Sequence, residues 1–242
     1  MPISSEMEAV APPDAAPERA SGPVAQSDLE LAKWIALVAM VVDHYGKIAE
    51  PGLYLETHAI GRVSFPLFAA IVGTRLALRP ALGVRYLRHL LPWALASQPV
   101  YVVAGRAWTD GNILFTLLLG VLATLALGAL AERPSWRPAL GLGAILAAAM
   151  LVDFGPLGVA MVPATALLAA RRPAAGPAVA GPLGLAANLA PLQLVDLASL
   201  LASPLLLLSQ KARLRLPRLP APVFYGFYPA HLLALHLYDL YR

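Results

Sequence analysis

Apolar runs of near-membrane length alternate with short polar punctuation along almost the whole chain. From Leu29 onward nine runs stand out, at 29–46, 58–78, 86–104, 112–131, 136–152, 155–170, 174–190, 192–209 and 221–240. Charges and turn residues bound them, as they bound helices that begin and end at the faces of a bilayer. A full crossing takes about 20 residues, and several runs are shorter. The seventh, AAGPAVAGPLGLAANLA, is interrupted by Gly and Pro, which predicts a kinked or re-entrant segment sheltered by protein or water. The pattern predicts an all-α fold, a polytopic transmembrane helix bundle of about nine spans. Residues 1–28 are rich in Ala, Pro and Ser and lack an apolar core, so they read as a disordered tail and not as a signal peptide. The chain then divides into that tail and one transmembrane domain over 29–242.

Composition supports the membrane reading. The 242 residues are 59% hydrophobic and only 13% charged, against about 25% charged in a typical soluble domain. Mean hydropathy is +0.67. The formal charge of +4 does not argue for nucleic acid, because the basic residues sit in clusters between apolar runs. With the N-terminus in the cytoplasm and alternating spans, 14 of the 18 Lys and Arg fall inside. Lys47, Arg62, Arg106 and Arg242 fall outside, a bias that fits the positive-inside rule and an odd number of helices. There is no cysteine, so disulfides, thiolate nucleophiles and thiolate metal sites are excluded. No internal repeat stands out, whereas many transporters show paired broken segments in two halves.

Ionisable groups within apolar runs are costly, so each is a functional candidate. Asp43 and His44 stand side by side near the outer end of the first run. Neighbours on a helix do not face each other, so each should meet a different partner. His44 has the chemistry to take a proton near neutral pH; the plainer reading is two polar residues ending a helix at the interface. Arg62 opens the second run on the same side. It suits an ion pair with Asp43 or a hold on a substrate carbonyl, unless it only snorkels to the interface. Arg75, Arg79, Arg85, Arg88 and His89 crowd one inner loop, either to fix topology or to grip phosphate. Gln98 and Asn112 are polar groups suited to binding helices together. Asp153 lies on the outer side beside Gly155 and Pro156, where a loop aspartate is the simple alternative. His231 falls mid-way along the last run. His236 lies five residues on, off the i, i+4 spacing of a helical metal pair, so no metal site is expected.

The segments LAKWIALVAMVVDHYG, IGRVSFPLFAAI, RYLRHLLPWALASQP, NILFTLLLG, LVDFGPLGV and FYGFYPAHLLALHL, in that order, resemble the TraX family, the F-pilin acetylases of conjugation systems. The similarity runs from about Leu29 to the C-terminus and is weak between about Arg171 and Leu219. Asp-His after the first helix, Gly-Arg-x-x-Phe-Pro in the second and Tyr-Pro-x-His in the last carry it. The resemblance implies a multi-pass inner-membrane acyltransferase with acetyl-CoA as donor and a pilin, or another periplasmic or membrane acceptor, as partner. It marks Asp43, His44, Gly61, Arg62 and His231 as site candidates. The chain departs from the family after FPLFAAIVG, where TRLALRP replaces a longer polar stretch and Arg75 only approximates the expected arginine.

Both lines of reasoning suggest one mechanism. CoA phosphates would bind Arg75, Arg85 and Arg88, and the thioester would meet an amine or hydroxyl acceptor near His44. Asp43 or Asp153 would orient the imidazole, and Arg62 or Asn112 would bind the oxyanion. A His-acyl intermediate is the covalent variant of this scheme. The rival class is a proton-coupled small-solute transporter, in which the same Asp, Arg and His residues form a proton path. Consumption of the thioester separates the two. A structural membrane subunit is the third reading, and it would tolerate loss of His44 and His231 together.

Overall fold

A computed structural model describes residues 29–188, 193–212, 214 and 216–242. The tail expected over 1–28 lies outside them, as do Arg213 and Arg215. Apart from one isolated bridge between Gly111 and Val152, the regular structure among the described residues is helical. Each of the nine apolar runs is helical over most of its described length. Among the described residues, three stretches are long and apolar enough to cross a membrane: Pro51–Leu78, Ile113–Glu132 and Leu194–Lys211. Helices at Trp136–Ala149, Gly155–Arg171 and Ala175–Ala187 are apolar but shorter.

Helix α1, Glu30–His44, buries Ala32, Ala36, Ala39 and Met40 along one stripe and turns Val38 outward. Spacings of three and four put those small residues on a single face, so α1 can lie close against its neighbours. At His44 the helix widens into a π-helical turn, Tyr45–Ala49. Such turns are rare and frequent at functional sites. A short 3-10 turn, Pro51–Leu53, leads into α2, Tyr54–Gly61, and α3, Ser64–Leu78. The sequence predicts one helix over 58–78, and the structure starts it earlier and breaks it at Arg62 and Val63. Pro66 explains the break. It has no N–H for the Arg62 carbonyl, and in a helix its ring crowds that position. The freed Arg62 carbonyl accepts a hydrogen bond from Ser199 Oγ at 3.3 Å.

Helix α3 is buried along nearly its whole length and forms the centre of the bundle. It packs against α1 and α7, Gly155–Arg171. Between them in sequence come α4, Leu82–Val103, α5, Ile113–Glu132, and α6, Trp136–Ala149. Helix α5 lies against α7 and α4, while α6 stays at the periphery with only Ala149 buried. Glycines set the closest approaches. A Cβ at Gly73 would meet the Val162 carbonyl oxygen at 2.6 Å, and one at Gly120 would meet the Val162 side chain at 2.7 Å.

The seventh run folds as two short helices, α8, Ala175–Ala178, and α9, Ala180–Ala187. Pro182 lacks the N–H that a continuous helix would need, which accounts for the interruption. A 3-10 segment, Leu194–Leu201, continues into α10, Ala202–Lys211, and α11, Ala221–Tyr241, closes the bundle against α4 and the π-turn.

Gly73→Ala is expected to lower the melting temperature of the purified protein in detergent, with a cost of about 1–3 kcal/mol from overpacking. Gly128→Ala is the control, because a Cβ there meets nothing within 4 Å. It should be neutral or stabilise by about 0.5–1 kcal/mol. Equal melting of Gly73→Ala and wild type would show that α3 and α7 do not touch as described.

Candidate functional site

The end of α1 that carries His44 opens on a cavity of about 710 Å³. Asp43, His44, Arg62 and Asp153 all line it, together with Lys47, His58, Tyr101 and Arg106. His231 stands behind His44. The His44 Nδ1 and His231 Nε2 atoms are 2.8 Å apart, and the ring centroids 5.0 Å. On its far side His231 Nδ1 lies 2.8 Å from the Phe227 carbonyl oxygen.

This short chain fixes the tautomers. A carbonyl oxygen only accepts, so His231 Nδ1 carries the hydrogen and donates to Phe227. In the neutral ring His231 Nε2 is then an acceptor, and His44 Nδ1 must donate to it. The neutral His44 ring is left with a bare lone pair on Nε2, at a ring that faces the cavity. An imidazole held in this way can take a proton from a bound molecule at Nε2 and release one from Nδ1 toward His231.

Asp43 does not touch the cavity through His44. Its Oδ1 lies 2.7 Å from His58 Nδ1, and its Oδ2 accepts from Lys47 Nζ at 2.6 Å. The adjacent residues therefore have separate partners, as their helical positions require. Gly61 makes the arrangement accessible to α2, since a Cβ there would run into the Asp43 carboxylate. The ion pair between Arg62 and Asp43 considered from the sequence is not formed. Arg62 Nε lies 2.6 Å from Asp196 Oδ1, and its Nη1 donates to Asn188 Oδ1. Asp196 is fully buried, and its Oδ2 also accepts from the Gln193 backbone N–H at 2.7 Å. Arg62 Nη2 has no partner among the described residues.

Asp153 sits on the opposite wall, where its Oδ1 accepts from Tyr101 Oη at 2.7 Å. Burial pushes its carboxyl above the usual carboxylate range, while Tyr101 and the Arg106 charge pull the other way. The next residue, Phe154, has a φ of 62°, a left-handed conformation that bulky residues rarely adopt. Stacking on Phe65, with ring centroids 4.2 Å apart, holds it there.

Asn112 is elsewhere. It is fully buried and caps α5, with Oδ1 accepting from the Leu114 N–H and Nδ2 donating to Gln98 Oε1 and the Ala94 carbonyl. It is not part of the cavity wall.

Arg75 and Arg85 lie toward the other end of α1, about 21 Å from His44 at 1.5 Å per residue. A second cavity of about 300 Å³ is lined there by Lys33, Arg75, Arg85, His89 and Arg218. Glu30 takes Lys33 at 2.6 Å and Arg75 at 3.2 Å, whereas Arg85 has no ion-pair partner among the described residues. Arg88 is exposed and off this cavity. Phe68 lines both cavities and so forms a shared wall.

Sequence reasoning missed His58, Tyr101, Asn188 and Asp196. The signal for Asp196 was available, since a carboxylate within an apolar run meets the same test that singled out Asp43.

Over residues 28–238 the chain matches the family model described as TraX protein. Among curated proteins it is 36% identical over 131 residues to Protein TraX of Escherichia coli strain K12. It is 33% identical over 131 residues to a second Protein TraX from Escherichia coli. Each alignment covers 53% of this chain and 48% of the relative, so the chain spans about half the length of the curated relatives it matches. No solved structure matches it.

Asp196→Ala is expected to destabilise the protein by about 3–5 kcal/mol, because it leaves the Arg62 charge without its partner. Replacing both, Arg62→Met with Asp196→Leu, should recover part of that loss. Thermal melting of the single and double variants checks this. Additive losses would show that the pair is not coupled.

Proposed function

The chain belongs to the TraX family, and on that premise we propose that it is a membrane-embedded acyltransferase, moving an acyl group from acetyl-CoA to an amine or hydroxyl acceptor. The N-terminus of a conjugative pilin is one acceptor of that class. The observation that carries the reading is the Phe227–His231–His44 chain, which leaves a proton-accepting nitrogen in a polar cavity at the end of an apolar bundle. In this reading the helices form a multi-pass bundle in the inner membrane, with the His44 end outside and the arginine end facing the cytoplasm.

The acceptor loses its proton to His44 Nε2 as it attacks the acyl carbonyl, and His44 shares the added charge with His231 through their hydrogen bond. The free Nη2 of Arg62 meets the oxyanion; the Asp196 and Asn188 contacts hold the guanidinium still while charge develops. The donor's phosphates lie at the other end. Arg85, with no ion-pair partner among the described residues, and Arg75 supply the forked donors that phosphate oxygens suit. Arg88, exposed beyond that cavity, serves the approach of the anionic donor. At about 300 Å³ the arginine cavity takes the phosphate end alone, and the acyl arm passes Phe68 to reach His44.

The transporter alternative uses the same groups as a proton path. The placement of His44 in one cavity and of Arg75 and Arg85 in another favours transfer between a donor and an acceptor.

Equilibrium binding of acetyl-CoA to the purified protein tests the proposal. Wild type should bind, Arg75→Ala with Arg85→Ala should lose at least about tenfold in affinity, or about 1.4 kcal/mol, and His44→Ala should still bind. A folded wild type that does not bind acetyl-CoA would remove the main support for acyl transfer and favour the transporter.

A further inference from the structure

His58 has no part in the reaction above, yet it is a member of the same cavity wall. It is 4% exposed, and its ring stacks on Tyr54 with centroids 4.7 Å apart. Its Nδ1 lies 2.7 Å from Asp43 Oδ1, while Lys47 occupies the other carboxylate oxygen at 2.6 Å. A carboxylate with a lysine on one oxygen accepts at both, so His58 Nδ1 carries the hydrogen. Nε2 is left as the exchanging nitrogen, with no partner among the described residues.

The cavity therefore holds two imidazoles in the same tautomer with unlike partners. His44 leans on a second imidazole, and His58 leans on a carboxylate. Two titratable groups in unlike surroundings are the usual arrangement for dividing acid and base duties. We propose that His58 is the general acid of the transfer, protonating the leaving thiolate, and that Asp43 is its positioning residue. The inference rests on the acyltransferase reading.

The step starts with His58 protonated at both nitrogens against Asp43, and it then balances without any further reactant. The acceptor's heteroatom forms its bond to the acyl carbon and gives its proton to His44 Nε2. The carbon–sulfur bond breaks, and the sulfur takes its electron pair together with the proton on His58 Nε2. The catalyst is left with a protonated His44 and a neutral His58, and water in the cavity returns the proton from one to the other. When His58 carries both protons, Asp43 offsets its charge at 2.7 Å, the service a carboxylate performs for an imidazolium in other acid–base sites.

The experiment compares leaving groups. Purified protein in proteoliposomes is given a peptide with a free N-terminal amine as acceptor and acetyl-CoA as donor, whose alkyl thiolate needs a proton to leave well. It is also given the acetyl thioester of para-nitrothiophenol, whose thiolate leaves without one. The quantity read is the rate of each variant relative to wild type on each donor. His58→Asn, whose amide can still donate to Asp43, should lose about 10²-fold on acetyl-CoA and stay near wild type on the aryl thioester. His58→Gln should behave the same way, and melting temperature shows that each variant is folded. His44→Asn should lose on both donors. An equal loss on both donors for the folded His58 variants, or no loss on either, would overturn the inference while leaving acyl transfer intact. Wild type that cleaves neither thioester would overturn the acyltransferase reading, and the inference with it.

Discussion

A backbone carbonyl can accept a hydrogen bond and can never give one. At Phe227 that asymmetry decides the state of two rings. His231 must donate to the carbonyl, His44 must donate to His231, and the last nitrogen in the line is left bare. Similar reasoning applies at Asp43, where a carboxylate receives from His58 on one oxygen and Lys47 on the other. Buried polar groups are expensive unless satisfied, so these contacts stabilise the helix ends and decide which ring nitrogens carry hydrogen. The surrounding packing serves this order. The π-turn after His44, the missing Cβ at Gly61 and the break before Pro66 bring α1, α2 and α11 close enough for the rings to meet.

Much of the fold was legible in the sequence, because apolar runs and their charged borders are local signals. The runs recur as helices, and the Gly and Pro pattern of the seventh anticipated its division into α8 and α9. Among the described residues three stretches are long and apolar enough to cross a membrane, fewer than the nine spans expected. Several other helices are short or carry too many polar residues to meet that test.

The site was legible as residue types and much less as contacts. Asp43, His44, Arg62 and Asp153 share a cavity, and His231 adjoins it through His44. Their partners come from distant parts of the chain. Arg62 meets Asp196, and His44 meets His231, across separations that no local pattern encodes. His58 went unnoticed because it opens an apolar run at its border, where a histidine resembles an interfacial residue. Asn112 drew attention as a polar group beside a helix, and the structure gives its amide to capping α5.

Proton transfer to His44 Nε2 during acyl transfer is tested most directly by release of the CoA thiol from acetyl-CoA. With an amine-terminated peptide as acceptor, purified protein in proteoliposomes should release thiol in proportion to its amount. His44→Asn, matched to wild type in melting temperature, should release it about 10²–10⁴-fold more slowly. A folded wild type that leaves the thioester intact, or a His44 variant that works at the wild-type rate, would contradict the account.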